Sequence, residues 1–282
     1  MSGEAPRLSV RERLVARLRD LEEPGALAEA ALLIAAEEYP ALDVAAWLAR
    51  LDALGARARE RVPPRGDADQ TAAALTRLLV EDYGLRGNDA DYYDPRNSFL
   101  NEVLERRLGI PLKLSLVYMD VGARAGVAVR GVGLPGHFVV RLERGETVRL
   151  LDPFNGGRPL DEADCRRLVE RLGGGRLRFE PAHLRAVSAR AILIRMLANL
   201  KGVYTALGDW RRARGAVDRI LLLAPEAVGE LRDRGLLSAR LGEPVAAIGD
   251  WEAYLRRVPD AKDAATVRRH LRALRQAQAA LN

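Results

Sequence analysis

The sequence has little of several features that define common classes of protein. Cys165 is the only cysteine among 282 residues, so the chain can form neither an internal disulfide nor a cysteine-based zinc site. No run approaches the roughly 18–20 consecutive apolar residues of a membrane span. The N-terminal stretch MSGEAPRLSVRERL also lacks the apolar segment of a secretory signal peptide. We therefore expect a cytoplasmic chain with no membrane segment, no cofactor and no bound metal.

The net charge of +6 is unevenly divided along the chain. Residues 1–189 hold 28 basic and 29 acidic side chains, whereas residues 190–282 hold 17 basic and 10 acidic ones. In the second segment the arginines recur at helical spacing among acids, which is typical of a solvated helix face. We do not expect a nucleic-acid partner, although a groove for RNA or another acidic partner is a weaker alternative.

Residues 1–66 are interpreted as an N-terminal helical region. The segment Ala26–Glu38 has high helix propensity and an apolar face. Asp43 is placed to cap a second helix, Val44–Arg61, on which apolar residues recur at helical spacing. This pattern predicts a helical layer in front of whatever follows.

Residues 67–185 are expected to form an α+β core with a small antiparallel sheet. Asp69 or Thr71 is the expected cap of a helix that runs through Tyr83. A further helix is expected at residues 98–107, with Gly109 ending it. Pro111 suits the first turn of the next helix, because its missing N–H needs no partner there. Short segments rich in β-branched residues then predict strands at residues 128–132, 137–142 and 148–152.

Residues 186–282 carry an internal repeat. Leu207 recurs as Leu241 and Ala213 as Ala247, and each pair is separated by 34 positions. A period of 34 with helix–turn–helix content is the signature of tetratricopeptide repeats. We expect two repeats followed by a capping helix at residues 263–281, and a protein partner bound through residues 196–282.

Residues 97–153 contain the main candidates for a catalytic site. A helix start near Pro111 is followed by His137 and then by Asp152. A cysteine acyl-transfer site has this order, in which a thiolate lies at a helix N-terminus, a histidine takes its proton and an aspartate orients the imidazole. Pro111 cannot act as a nucleophile, so the thiol of such a site is absent.

Three short motifs carry a resemblance to a known family: residues 97–102 (NSFLNE), 134–138 (LPGHF) and 152–154 (DPF). With them, nearly the whole chain resembles the SirB family of bacterial transglutaminase-like proteins. The resemblance implies an N-terminal helical region, a transglutaminase-like (papain-like) core and C-terminal tetratricopeptide repeats. In active relatives a Gly-x-Cys begins the helix, and its cysteine aligns with Pro111. The histidine and aspartate of the triad carry over to His137 and Asp152.

Each candidate residue has more than one interpretation. His137 and Asp152 could be a residual structural pair, an acid/base pair or a ligand contact. Ser115 lies one helical turn after Pro111 and is a weak candidate for a replacement nucleophile, since a buried helical hydroxyl usually bonds to backbone. Cys165 follows Asp152 in the chain and lies in a polar helix, so a catalytic role is not expected for it.

Asn97, Asn101 and Glu102 are polar residues just before the expected site, and positions 97 and 101 share a helix face. They could brace the start of the helix or line a pocket for a peptide or small ligand beside His137. Two functions follow from the whole pattern. One is a degenerate transglutaminase-like protein that binds partners through its repeats; the other is a hydrolase or acyltransferase that uses Ser115 or a water activated by His137.

Overall fold

The computed structural model describes residues 8–279 of the chain. It divides into two compact units, Met1–Leu193 and Ile194–Asn282. No helix in the described part is both long and apolar enough to cross a membrane. Within the first unit the helices are α1 (Val10–Arg17), α2 (Ala26–Glu38), α3 (Val44–Arg61), α4 (Ala68–Thr76), α5 (Leu100–Arg106), α6 (Pro111–Arg124) and α7 (Glu162–Gly173).

The two predicted helices of the N-terminal region, α2 and α3, are confirmed with their bounds. The Asp43 carboxylate caps α3 and accepts hydrogen bonds from the backbone N–H groups of Ala45 and Ala46. Nearly all of α2 is buried, which explains why its sequence is apolar with little periodicity. Helix α3 packs against α6, where Gly55 lies directly against the Arg124 side chain.

The predicted caps of the next helix, Asp69 and Thr71, are wrong. Asp67 caps α4 and forms a capping box with Gln70, the glutamine three residues later. After Thr76 the helix continues as a π-helix, Arg77–Asp82. The helical backbone therefore changes its hydrogen-bonding pattern in mid-course, which no local sequence pattern indicated.

The helix predicted at residues 98–107 is α5, which follows a 3₁₀ turn at Pro95–Ser98. Gly109 does not end it, because Arg107 already adopts a left-handed conformation with φ 61°. Gly109 lies instead in β2 (Leu108–Gly109), which pairs in parallel with β1 (Arg86–Gly87). Helix α6 begins at Pro111 as predicted.

A four-stranded antiparallel sheet follows α6. Its strands are β3 (Ala128–Val132), β4 (Val139–Arg144), β5 (Thr147–Asp152) and β6 (Arg158–Leu160), in that spatial order. Strand β6 was not predicted, and its proline suits an edge position. The strand predicted at residues 137–142 begins two residues later, so His137 precedes the strand. The sheet confirms the α+β fold class.

The second unit is helical. The chain enters it within α8 (Ala189–Ala206), which is followed by α9 (Trp210–Leu223), α10 (Val228–Arg240), α11 (Pro244–Arg257) and α12 (Ala264–Ala279). Helices α10 and α11 pack closely, with Gly235 against the indole of Trp251. The predicted capping helix corresponds to α12, and residues 280–281 of that prediction lie outside the described residues.

Candidate functional site

The start of α6 is the position at which the sequence resemblance predicted the catalytic cysteine of active relatives. Ile110 is the N-cap and Pro111 occupies the first turn, buried in the core. Gly109 just before them has little room for a side chain, because a Cβ there would lie 3.0 and 3.1 Å from the methyl groups of Val103. The backbone geometry of a helix N-terminus is present, but its first side chain is an apolar ring.

His137 is placed by a tight turn at the end of the loop between β3 and β4. Gly136 has φ +76°, and the backbone N–H of His137 donates to the carbonyl oxygen of Leu134 at 3.1 Å. The turn directs the imidazole to the end of β5. There His137 Nε2 lies 3.0 Å from Asp152 Oδ1.

Asp152 ends β5 and organises the turn that follows it. Its carboxylate accepts hydrogen bonds from the backbone N–H groups of Phe154 and Asn155 and from the Asn155 side-chain amide at 2.7 Å. Burial acts to raise the pKa of Asp152, but the hydrogen bonds with His137 and Asn155 outweigh it and hold that pKa below its ordinary value. Asp152 is therefore ionised at neutral pH.

The pair of His137 and Asp152 is sealed from solvent. His137 is 5% exposed and Asp152 is 2% exposed. The ring of Phe154 meets the imidazole edge to face at 6.0 Å and contacts Tyr92 in the same way on its other side. The contact between these two buried side chains therefore connects the loop before β4 with the end of β5.

Ser115 lies on the face of α6 that looks towards the sheet. It is fully buried, and its hydroxyl donates to the carbonyl oxygen of Phe138 over 3.5 Å. That distance is at the outer limit for a hydrogen bond. The hydroxyl is thus directed at a backbone carbonyl next to His137, and no imidazole contact activates it among the described residues.

Asn97 acts as a brace for the loop in front of α5. Its amide oxygen accepts from Asn88 at 2.9 Å, and its amide nitrogen donates to the carbonyl oxygen of Asp91 at 2.7 Å. Asn101 is buried, and its Oδ1 has no hydrogen-bond partner among the described residues. Glu102 is half-buried in the first turn of α5. The pocket role of these three residues stays a prediction.

The single thiol lies elsewhere. Cys165 is buried in α7, in an apolar cluster with Leu168 and Val169. Burial, together with nearby carboxylates, raises its pKa to about 11. A thiol with that pKa is protonated at neutral pH and is a poor nucleophile.

The sequence analysis did not identify two residues in this part of the chain, Asn155 and Lys113. Asn155 supplies two of the hydrogen bonds to Asp152, and its position in a turn directly after a strand was the available signal. Lys113 is 1% exposed in the apolar first turns of α6, and burial lowers its pKa to about 7. A lysine within an apolar helical run is visible in the sequence, but its complete burial is not.

The geometry can hold a proton between an imidazole and a carboxylate, and it can orient that imidazole.

Residues 45–198 match a family model described as the transglutaminase-like superfamily, and residues 200–272 match a tetratricopeptide-repeat model. The chain is also 40% identical over 248 residues to a UPF0162 protein of Xylella fastidiosa, covering 87% of this chain and 88% of the relative. This chain belongs to the UPF0162 family of transglutaminase-like proteins.

Two further similarities are more distant. The mouse protein F-box only protein 21 is 30% identical over 183 residues, which cover 61% of this chain and 28% of that protein. A crystal structure of menin aligns with a TM-score of 0.44 at 12% identity, covering 89% of this chain and 70% of the menin chain. The UPF0162 similarity thus spans both units, whereas the F-box protein shares only a part of its length.

Proposed function

We propose that this UPF0162 protein is a non-catalytic transglutaminase-like protein of the SirB type. In this proposal it acts in the cytoplasm and binds a protein partner through the repeats of residues 196–282. The observation that carries the non-catalytic part is Pro111 in the first turn of α6, the position at which the resemblance places the cysteine of active relatives.

The magnitude of the missing contribution supports this choice. Removing the nucleophile of a catalytic triad lowers kcat by roughly six orders of magnitude. Neither hydroxyl nor thiol replaces it here, because Ser115 is directed at a carbonyl and the thiol of Cys165 lies in an apolar cluster with a raised pKa. A buried imidazole without a neighbouring thiol or hydroxyl lacks the side-chain nucleophile that it would activate for acyl transfer.

The second unit supports the binding part of the proposal. Ion pairs connect several of its helices: Lys201 on α8 with Glu230 on α10, and Arg234 on α10 with Asp250 on α11. Such pairs fix the helices while leaving apolar side chains at the surface, among them Leu236, which is 45% exposed. A rigid repeat surface that shows both charged and apolar groups suits recognition of another protein.

An acyl-probe experiment tests the non-catalytic part. The purified chain is incubated with a fluorophosphonate and with an electrophilic thioester, and adducts are sought by intact mass spectrometry. We expect no adduct at Ser115 at neutral pH. An adduct that disappears in both Ser115→Ala and His137→Ala would establish the hydrolase or acyltransferase instead.

A partner experiment tests the binding part. Wild-type protein and Leu236→Glu are used as baits under identical conditions, with Leu172→Glu as the matched control, since Leu172 is a similarly exposed leucine in the first unit. We expect a partner that Leu236→Glu loses and Leu172→Glu retains. Equal capture by all three baits would contradict binding through the repeats.

A further inference from the structure

A groove of about 390 Å³ lies between α3 on one side and the ends of the π-helix and of α5 on the other. Its lining includes one leucine from each side, Leu54 of α3 and Leu104 of α5, and both are buried. Small-molecule sites in proteins are commonly concavities of about this size, with apolar walls and a few polar groups that orient the ligand. In this groove most of the polar groups are cationic.

The charges that line the groove do not balance. Within the described part of the chain, four charged side chains line it, and three of them are arginines: Arg50, Arg57 and Arg107. The fourth is Glu105, whose carboxylate pairs with Arg50. One anion against three cations leaves a surplus of two positive charges. The groove therefore favours an anionic occupant that carries two negative charges.

One of these arginines, Arg107, has an uncommon backbone conformation. It is the C-cap of α5 with φ 61°, and it is the one non-glycine residue with a positive φ in the described range 8–279. Glycine is favoured at such a helix end, because in this conformation a Cβ comes too close to the following carbonyl oxygen. The chain thus carries an arginine where glycine would fit the backbone better, which points to a function of the side chain.

Contacts hold both the backbone and the side chain of Arg107 in place. Its backbone N–H donates to the carbonyl oxygen of Val103 at 2.8 Å, and its carbonyl oxygen accepts from the N–H of Arg86 at 3.0 Å. Its guanidinium lies over the ring of Tyr83, 5.4 Å from the ring centroid. The Tyr83 hydroxyl in turn donates to the carbonyl oxygen of Leu104 at 2.8 Å. A guanidinium that is already oriented loses less conformational entropy when it binds an anion.

Arg57 lines the groove from α3. It lies seven residues after Arg50 and three after Leu54, spacings that place the three residues on one face of the helix. Guanidinium groups bind phosphate through paired N–H donors. A phosphate monoester carries a charge of about −1.5 to −2 at neutral pH, which matches the surplus in the groove. We propose that the groove binds a small phosphate monoester, with its phosphate held by Arg57 and Arg107 and its apolar part against the leucines.

Phenyl phosphate is a suitable probe, because it joins a phosphate monoester to a small apolar ring. The full chain, labelled with ¹³C at leucine methyl groups, is titrated with phenyl phosphate at neutral pH and low salt and followed by NMR. We expect saturable shifts at Leu54 and Leu104, with a Kd on the order of 1 mM for a ligand of this size. Inorganic phosphate, which lacks the ring, is expected to bind several-fold more weakly. Phenol, which lacks the charge, is expected to give no saturable shifts.

Three variants locate the binding. Arg57→Gln and Arg107→Gly each remove one cation, and each is expected to weaken the binding of phenyl phosphate about tenfold, the effect of losing one charge-assisted hydrogen bond. Arg65→Gln removes the same charge from an exposed position in the loop after α3, so it is the matched control and is expected to keep the wild-type affinity. Arg57→Gln changes an exposed helical position, so it gives an answer even where Arg107→Gly alters the fold.

The proposal is overturned if phenyl phosphate gives no saturable shifts, or if Arg57→Gln or a folded Arg107→Gly binds it as tightly as Arg65→Gln does. It is also overturned if phenyl phosphate binds no more tightly than inorganic phosphate, since the apolar part of the groove would then have no role. These outcomes are independent of the acyl-probe and partner experiments, because the residues that line the groove belong neither to α6 nor to the repeats.

Discussion

Lys113 offers the sharpest test of the packing of the first unit. It is 1% exposed, and burial is the one cause that shifts the pKa of its amine, with no contribution from a charged or hydrogen-bonded neighbour. Burial lowers its pKa from 10.5 to about 7. In the unfolded chain the same amine keeps its ordinary pKa, so between about pH 7 and pH 10.5 the unfolded state binds more protons than the folded state.

The sign and size of the effect follow from this difference. The contribution of Lys113 to stability becomes less unfavourable as the pH increases from 7 towards 10.5, since the proton that opposes burial is released. The shift is equivalent to about 4 kcal/mol at pH 7 and to about 1 kcal/mol at pH 10. Lys113→Met keeps the shape of the side chain without its charge, so we expect it to stabilise the first unit by about 2–4 kcal/mol at pH 7 and by at most about 1 kcal/mol at pH 10.

Urea denaturation of wild-type protein and Lys113→Met between pH 7 and pH 10 measures this directly. Other groups also titrate in this range, among them Cys165 and Tyr118, whose pKa values are raised by burial. Both proteins contain these groups, so the difference between the two stabilities isolates the contribution of Lys113. Hydrogen exchange of α6 peptides assigns the effect to the first unit, since a chain of two units need not unfold in one step. Lys262→Met, at an exposed position, is the control. A Lys113→Met variant that is less stable than wild type at pH 7, or a gap that does not shrink with pH, would refute the reasoning.

Two pairs of glycines give further predictions. Gly157→Ala is expected to cost about 3 kcal/mol, whereas Gly156→Ala should cost only about 1 kcal/mol, because both have φ near +70° but only position 157 has atoms within 4 Å of the new methyl group; equal losses in urea denaturation would contradict this. In α10, Gly235→Ala is expected to cost about 1–3 kcal/mol because its methyl group would lie 2.6 Å from the Trp251 indole. Gly229→Ala, in open space on the same helix, should gain up to about 1 kcal/mol from helix propensity, and a thermal melt that ranks the two variants otherwise would count against the packing described.

Rules that use only neighbouring residues predicted several helices well, because capping residues, proline preferences and repeat periods can be recognised within a short stretch of sequence. Asp43 caps α3, Pro111 begins α6, and the period of 34 residues predicted the helical second unit. The cap of α4 was missed although its signal was present. Asp67 has Gln70 three residues later, which allows a reciprocal capping box.

The features that sequence reasoning could not reach depend on distant parts of the chain. The edge strand β6 contains few β-formers, and it forms because β5 offers it backbone partners, Leu150 opposite Leu160. The predicted antiparallel strands already placed the start of β4 opposite the end of β5. The 3.0 Å contact between His137 and Asp152 depends in addition on the loop that carries His137, which the sequence did not specify. Complete burial of Lys113 likewise depends on several helices at once.

The survival of the His137–Asp152 pair does not require catalysis. Asp152 accepts hydrogen bonds from His137 and from the turn that includes Asn155, so it holds together two strand ends that are not adjacent in the sequence. Loss of His137 alone would leave a buried carboxylate without one of its partners. Loss of Asp152 alone would remove the acceptor of two backbone N–H groups and one partner of the buried imidazole. Leaving a buried polar group without its hydrogen-bond partner typically costs about 1–3 kcal/mol, and more for a charged group, which is a sizeable part of the stability of a domain. A chain that had lost its nucleophile at position 111 would therefore keep both residues for stability alone, and their presence is equally expected of an enzyme and of a binding protein. The discriminating feature is the side chain at the start of α6, and there the chain carries proline.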